Sequence, residues 1–231
     1  DLDCEPDSHQ LVCTAQLGLP WLPDGEFGVV VNDNFDDSSM AGWSVLRGTV
    51  RVWEEPRAER LSLNTVYRSS ARRDFSTVNG LVDIELDLNR GSTLDSGQSY
   101  VFIFAHNSRP LATFKVSALG VPSLTVGSTP VPLSDPSAIA PHNWFDFGFV
   151  FDINKQELVS FTRGTTEMLT LPVLINEGGS FSGINQLIVD SGAGHLYVDD
   201  VVVQQVPMSV CCGDDVGVEG QNAQTVGCTG D

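Results

Sequence analysis

Three groups of acidic side chains in this chain stand at spacings that could do chemistry. The first is Asn32-Asp33-Asn34-Phe35-Asp36-Asp37, an oxygen-rich run among turn-forming residues. The second is the adjacent pair Asp199 and Asp200, set inside the branched apolar run HLYVDDVVV, which reads as a strand. Alternation sends strand neighbours to opposite faces, and an unpaired buried carboxylate is costly. One of this pair is therefore predicted to meet solvent and the other to find a cation or donors. The third group is Asp83, Glu85 and Asp87, spaced by two in LVDIELDL, so that all three share one strand face. Ca²⁺ takes six to eight oxygens from carboxylates and loop carbonyls, which the first two groups could supply together. Paired carboxylates on one face are also what glycoside hydrolysis uses, a retaining mechanism needing two of them about 5 Å apart. The same alternation equally describes the wet face of a half-exposed strand, and that plainer reading is expected for Asp83, Glu85 and Asp87.

Strands must position these groups. Residues 184–206 read as two apolar strands, 187–189 and 195–203, joined as a hairpin by the Gly-rich turn 190–194. The first clear strand is 27–31. In GWSVLRGTVRVWEE, Trp43, Val45, Val50 and Val52 alternate around Gly48 as in another hairpin. Strands are further predicted at 60–64, 66–70, 81–88, 100–105, 111–118, 124–126, 144–152, 157–163 and 168–171. Asp152, Asn154 and Glu157 fall in a short turn that lacks the Gly and the twelve-residue spacing of an EF-hand, so a hairpin turn is expected there. No long window has helical periodicity. Short strands separated by turn signals predict an all-β fold, an antiparallel two-sheet β-sandwich of the jelly-roll kind over residues 27–206.

Thirty acidic against twelve basic residues give a formal charge of −18, which repels nucleic acid and anionic membrane. No run reaches the ~20 apolar residues of a membrane-spanning helix. No basic-then-apolar leader is present, so any secretory signal is expected to have been removed. All five cysteines, Cys4, Cys13, Cys211, Cys212 and Cys228, lie towards the ends, outside metal-finger spacing. They predict disulfides and a secreted or cell-surface location, with Cys4–Cys13 and Cys228 joined to Cys211 or Cys212, leaving one thiol over. Residues 1–26 and 207–231 thus read as extended, disulfide-tied arms. Leu19, Trp21 and Leu22 in the first arm would need a groove to cover them. Trp43 and Trp144 sit in apolar alternation and are predicted to be core.

The stretches GWSVLRGTVRVWE, WFDFGFVFDINKQELVSFTRG and INQLIVDSGAGHLYVDDVVV together resemble the laminin-G/concanavalin A-like jelly-roll superfamily. They are also similar to jelly-roll carbohydrate-binding modules that end in a Tyr-x-Asp-Asp-Val strand. The resemblance implies that first and last strands are neighbours, and that a structural Ca²⁺ is held by Asn34, Asp36, Asp37, Asp199 and Asp200. Asp83, Glu85 and Asp87 invite comparison with family 16 glycoside hydrolases, but depart from their Glu-x-Asp-x-x-Glu strand in spacing and residue type. Jelly-roll lyase motifs, a Gly-x-Ser-x-Gly elbow and a phosphate loop are absent.

Three functions follow. The first is a non-catalytic subunit of an extracellular filament, matrix or surface layer, self-associating through arms that add a strand to a neighbour's sheet edge. The second is a glycan-binding or adhesion module. The third is a glycoside hydrolase-like enzyme using Asp83, Glu85 and Asp87.

Overall fold

The computed structural model describes residues 28–55, 60–175 and 180–206, together with the backbone of a hairpin at 3–7 and 10–14. In chain order the strands are β1 (Asp3–Asp7), β2 (Gln10–Thr14), β3 (Val29–Asp33), β4 (Trp43–Arg47), β5 (Val50–Glu55), β6 (Arg60–Thr65), β7 (Ser69–Val78), β8 (Leu81–Thr93) and β9 (Ser99–His106). They continue as β10 (Arg109–Ser117), β11 (Pro122–Val126), β12 (Thr129–Val131), β13 (Trp144–Asp152), β14 (Glu157–Arg163), β15 (Thr166–Glu167), β16 (Val173–Leu174), β17 (Ile184–Ser191) and β18 (Gly194–Val206). Among the described residues no helix is long and apolar enough to cross a membrane.

Two antiparallel sheets form a sandwich. One holds seven strands in the order β12-β11-β10-β9-β17-β7-β4. The other holds nine, β15-β14-β13-β8-β18-β6-β5, with β16 on β14 and β3 on β18. Residues Phe27–Val206 form one compact unit, and Asp1–Glu26 with Pro207–Asp231 group separately. In that second unit β1 pairs with β2, and the backbone register sets Cys4 opposite Cys13.

Alternation dictates the core. On β13 the odd-numbered Phe145, Phe147, Phe149 and Phe151 point at the seven-stranded sheet, and three of the four are fully buried. They meet Phe104 and Phe114 of that sheet, with ring centroids 4.5 Å apart for Phe104–Phe149 and 5.0 Å for Phe114–Phe147, and Phe102 packs on Phe114. Phe161 stacks on Phe149 at 4.6 Å. Truncating any one of these rings costs about 3–5 kcal/mol.

Several sequence expectations change here. Strands β17 and β18 do not form a hairpin: β17 lies between β9 and β7, and β18 lies in the other sheet. Each is apolar because it is central in its own sheet, and the Gly-rich turn carries the chain from one sheet to the other. The segment around Gly48 does the same, with β4 beside β7 and β5 beside β6. Residues 168–171 form no strand; Met168 and Leu169 are buried in the core between β15 and β16. The opening strand is Val29–Asp33, and it does lie beside the closing one, with Asp33 opposite Val201.

Candidate functional site

The outer face of the nine-stranded sheet is where the acidic residues converge. Val82, Ile84, Leu86 and Leu88 of β8 point into the core, so Asp83, Glu85 and Asp87 point out. Asp146 on β13 is in register with Asp87, and Asp87 is in register with Asp199 on β18. Three acids thus cross three strands in one row, at the ~5 Å spacing of antiparallel partners. Like charges in that position repel, and something must offset them.

Arg60 does so. Strand β18 is flanked by β6 along Leu196–Val198 and by β3 along Val201–Gln204, and Arg60 opens β6 beside the seam between the two. Its guanidinium donates to Asp87 at 2.7 Å and also to Asp199 and Asp200. The same guanidinium lies 4.5 Å over the Trp144 ring, a cation–π contact.

A bulge brings both β18 carboxylates to Arg60. Asp199 pairs with Asp87 and Val202 with Glu85, so Asp200 and Val201 together oppose one residue of β8. Asp200 takes the left-handed conformation, φ 45°, which Asp tolerates better than most residues. The extra residue resets the alternation. Asp199 is 2% exposed and Asp200 55%, yet both reach the same cation instead of lying on opposite faces. The prediction of one solvated and one paired carboxylate therefore holds in burial and fails in direction.

Burial pushes the Asp199 carboxyl up to about 6, helped by Asp200 and opposed by the Asp200 N–H and by Arg60. Burial works to lower Arg60, but the bonds and charges of Asp87 and Asp199 outweigh it and raise it. The two partners differ because Asp199 is the more enclosed. Burial also raises Asp87, with Asp200 and Asp146 adding to the effect against Arg60. Glu85 is raised by burial and then by Asp83, Asp146 and Asp87.

Beside this cluster lies a groove of about 410 Å³ lined by Glu85, Asp87, Asp146, Gly148, Thr162 and Asp200, among others. Gly148 keeps its floor open, since a Cβ there would stand 2.7 Å from Thr162 Oγ1. Trp144 borders the cluster as a half-buried outer-face residue, not a core one as its run suggests, because the phenylalanines hold the inward phase of β13. Trp43 is core as predicted. Trp53 is 47% exposed, with Arg51 over its ring at 3.9 Å.

No known protein family and no curated protein matches the sequence. Solved structures do match in fold. A sialidase superposes with a TM-score of 0.59 at 10% identity, over 78% of this chain and 19% of its own. A carbohydrate esterase from the Shiga toxin-encoding bacteriophage phi24B gives 0.58 at 11% identity, over 77% of this chain and 99% of its own. The Crh5 transglycosylase gives 0.53 at 12% identity, over 78% and 85%. The fold is one that carbohydrate-active proteins use. The chain spans a fifth to a third of the sialidases it matches.

Other predicted site residues stand apart from this groove. Asn34 donates to Asp36 at 3.1 Å, and Asp37 accepts from the Ser39 N–H at 2.8 Å, so these side chains bond within their own turn. Asp33, the last residue of β3, accepts from Arg73 and from the Trp43 indole. Among the described residues no three His, Cys, Asp or Glu side chains stand where they could share a metal ion. The side chains of Cys4 and Cys13, and all of Leu19, Trp21, Leu22, Cys211, Cys212 and Cys228, lie outside the described residues. Asp152 accepts from the Lys155 N–H in a hairpin turn, as predicted. Sequence reasoning missed Arg60 and Asp146. Asp146 was visible in principle, since it shares the outward phase of β13 with Trp144; Arg60 had no signal.

Proposed function

We propose that this protein binds carbohydrate, and that its glycan face is the outer surface of the nine-stranded sheet. The observation that carries the reading is the open groove walled by Glu85, Asp87, Asp146 and Asp200, bordered by the Trp144 ring, with the exposed Trp53 two strands beyond β18 in the same sheet. Carboxylates accept hydrogen bonds from vicinal hydroxyls, and indole rings offer an apolar face to sugar C–H groups. The sialidase, esterase and transglycosylase names of the structural neighbours support the same class of ligand. Affinity electrophoresis through gels containing neutral polysaccharides tests it. Retardation by at least one polysaccharide, lost in Trp53→Ala with Asp146→Ala at unchanged circular dichroism, is expected. Migration unaffected by every polysaccharide, or retardation that survives the double variant, overturns it.

Hydrolysis is the second reading, favoured by the Glu85 carboxyl, which burial and then the charges of Asp83, Asp146 and Asp87 push up, the direction a general acid needs. Residues two apart on a strand are about 7 Å apart and cross-strand partners about 5 Å, spacings that inverting and retaining chemistry respectively require. Binding ranks first because Asp87, central to either pairing, is held by Arg60. Reducing-sugar release that Glu85→Gln abolishes would promote hydrolysis. Assembly into an extracellular structure rests on arms 1–26 and 207–231, and ranks behind a reading built on described side chains.

A further inference from the structure

The outer face of the seven-stranded sheet carries the opposite charge. Backbone register sets Arg47 opposite Ser70, Ser70 opposite Asp190, Asp190 opposite Val101, and Val101 opposite Lys115. One row thus crosses β4, β7, β17, β9 and β10. Arg47 reaches over Ser70 to donate to Asp190 at 2.8 Å, and Lys115 stands about 10 Å beyond Asp190, two strand spacings away. A concavity of about 510 Å³ opens here, with Arg68 as a third cation on its wall. Gln98, Ser99 and the turn at Gly192 add polar wall, and Val101 is its apolar side chain. That turn closes on the 97–99 loop so tightly that a Cβ on Gly192 would meet the Ser99 carbonyl at 2.9 Å.

Three of the chain's twelve basic residues therefore gather at one hollow of a protein with charge −18. Two carboxylates oppose them: Asp190 on Arg47, and Asp95, 3.8 Å from Arg68 and held by the Tyr67 hydroxyl at 3.1 Å. The sum is one uncompensated positive charge. Lys115 has no ion pair among the described residues, and Arg47 commits one of its five N–H groups to Asp190. A singly charged oxyanion would bring the hollow to neutrality and find a planar guanidinium fork and an ammonium to bind it. A phosphate monoester, at nearly two negative charges, would overshoot against Asp190 and Asp95. The Debye length at physiological salt is about 8 Å, so the distant acids of the opposite face are screened while these cations are not.

We infer that the hollow between Arg47, Arg68 and Lys115 binds the carboxylate or sulfate ester of an acidic saccharide, separately from the acidic groove on the other sheet. Titrating ¹⁵N-labelled protein with glucuronate, glucose 6-sulfate, glucose 6-phosphate and glucose, followed by amide shifts, tests this. Glucuronate and glucose 6-sulfate should shift Gly97, Ser99, Lys115 and Gly192 with a dissociation constant on the order of 1–10 mM, an affinity ordinary for one charged contact set. The relative response to those two sources of the anion assigns carboxylate or sulfate. Glucose should leave these amides unmoved, and glucose 6-phosphate should bind more weakly than the sulfate. Lys115→Glu, at an exposed strand position, should weaken binding at least ~10-fold, as should Arg68→Glu if the first variant gives a disturbed spectrum. Equal shifts with glucose, tighter binding of the phosphate, no shifts at about ten times the expected constant, or unchanged binding in both variants would overturn it. The acidic-groove reading stands or falls on neutral polysaccharides and on Trp53 and Asp146, so the two can fail independently.

Discussion

On the outer face of the nine-stranded sheet one guanidinium serves three carboxylates; on the outer face of the seven-stranded sheet three cations share two. The first arrangement is enclosed: Asp199 is 2% exposed, and Arg60 is gripped from three sides. The second is open, with Arg47 59% and Arg68 68% exposed. Two faces with the same alternation and a shared core thus put charge to different uses. An enclosed charge is committed to holding the sheet together at the seam between β6, β3 and β18. An open charge keeps its donors available to a ligand.

The sharpest way to break this contrast is to remove one arginine from each face. Arg60→Ala leaves Asp199 buried without its cation, and should cost about 3–5 kcal/mol in chemical denaturation. Arg47→Ala breaks an exposed pair and should cost less than about 1 kcal/mol. Similar losses for the two would erase the distinction between structural and available charge.

pH sharpens it next. The Asp199 carboxyl sits at about 6 in the folded protein, against an ordinary value of 3.8. Between those values the native state holds more protons than the unfolded chain, so this group's contribution to stability falls as pH rises. Melting curves of the protein minus those of Asp199→Asn should therefore decline from about pH 4 to 6 and flatten above. A difference that rises over that interval would contradict the burial-dominated account of Asp199.

Chelation asks whether Arg60 suffices as the counter-charge for Asp199 and Asp200. A structural calcium ion on Asn34, Asp36, Asp37, Asp199 and Asp200 would add stability by mass action, and EDTA would remove it. With the guanidinium already bonded to both β18 carboxylates, equal melting temperatures in EDTA and in calcium are expected. A drop in EDTA would bring the ion in.

The smallest effect concerns the hairpin β1–β2, where the register sets Cys4 opposite Cys13. Directly opposed strand residues have Cα atoms within disulfide range. Peptide mapping without reductant should recover these two cysteines linked; finding Cys4 joined elsewhere would undo that pairing.

How far the sequence could be read follows from which interactions are local. Strands Trp144–Asp152 and Glu157–Arg163 were legible to the residue, because their alternation is strict and a four-residue turn separates them. The outward phase of Asp83, Glu85 and Asp87 was legible for the same reason. A glycine-rich turn, by contrast, serves a hairpin and a crossing between sheets alike, so the turn before β18 was read as the wrong one. The bulge at Asp200 escaped because one inserted residue resets the phase without leaving a compositional mark. Arg60 escaped because its partners lie 27, 139 and 140 residues away. No spacing rule reaches that far.

The central claim is that the acidic, aromatic outer face of the nine-stranded sheet receives carbohydrate. Gly148→Val tests it most directly, because it fills the groove floor without removing a charge or an aromatic ring. Binding of a retarding neutral polysaccharide should fall at least ~10-fold, about 1.4 kcal/mol, while the fold, read by circular dichroism, is retained. Full binding by the Gly148→Val variant would show that the glycan does not enter this groove, and would contradict the account.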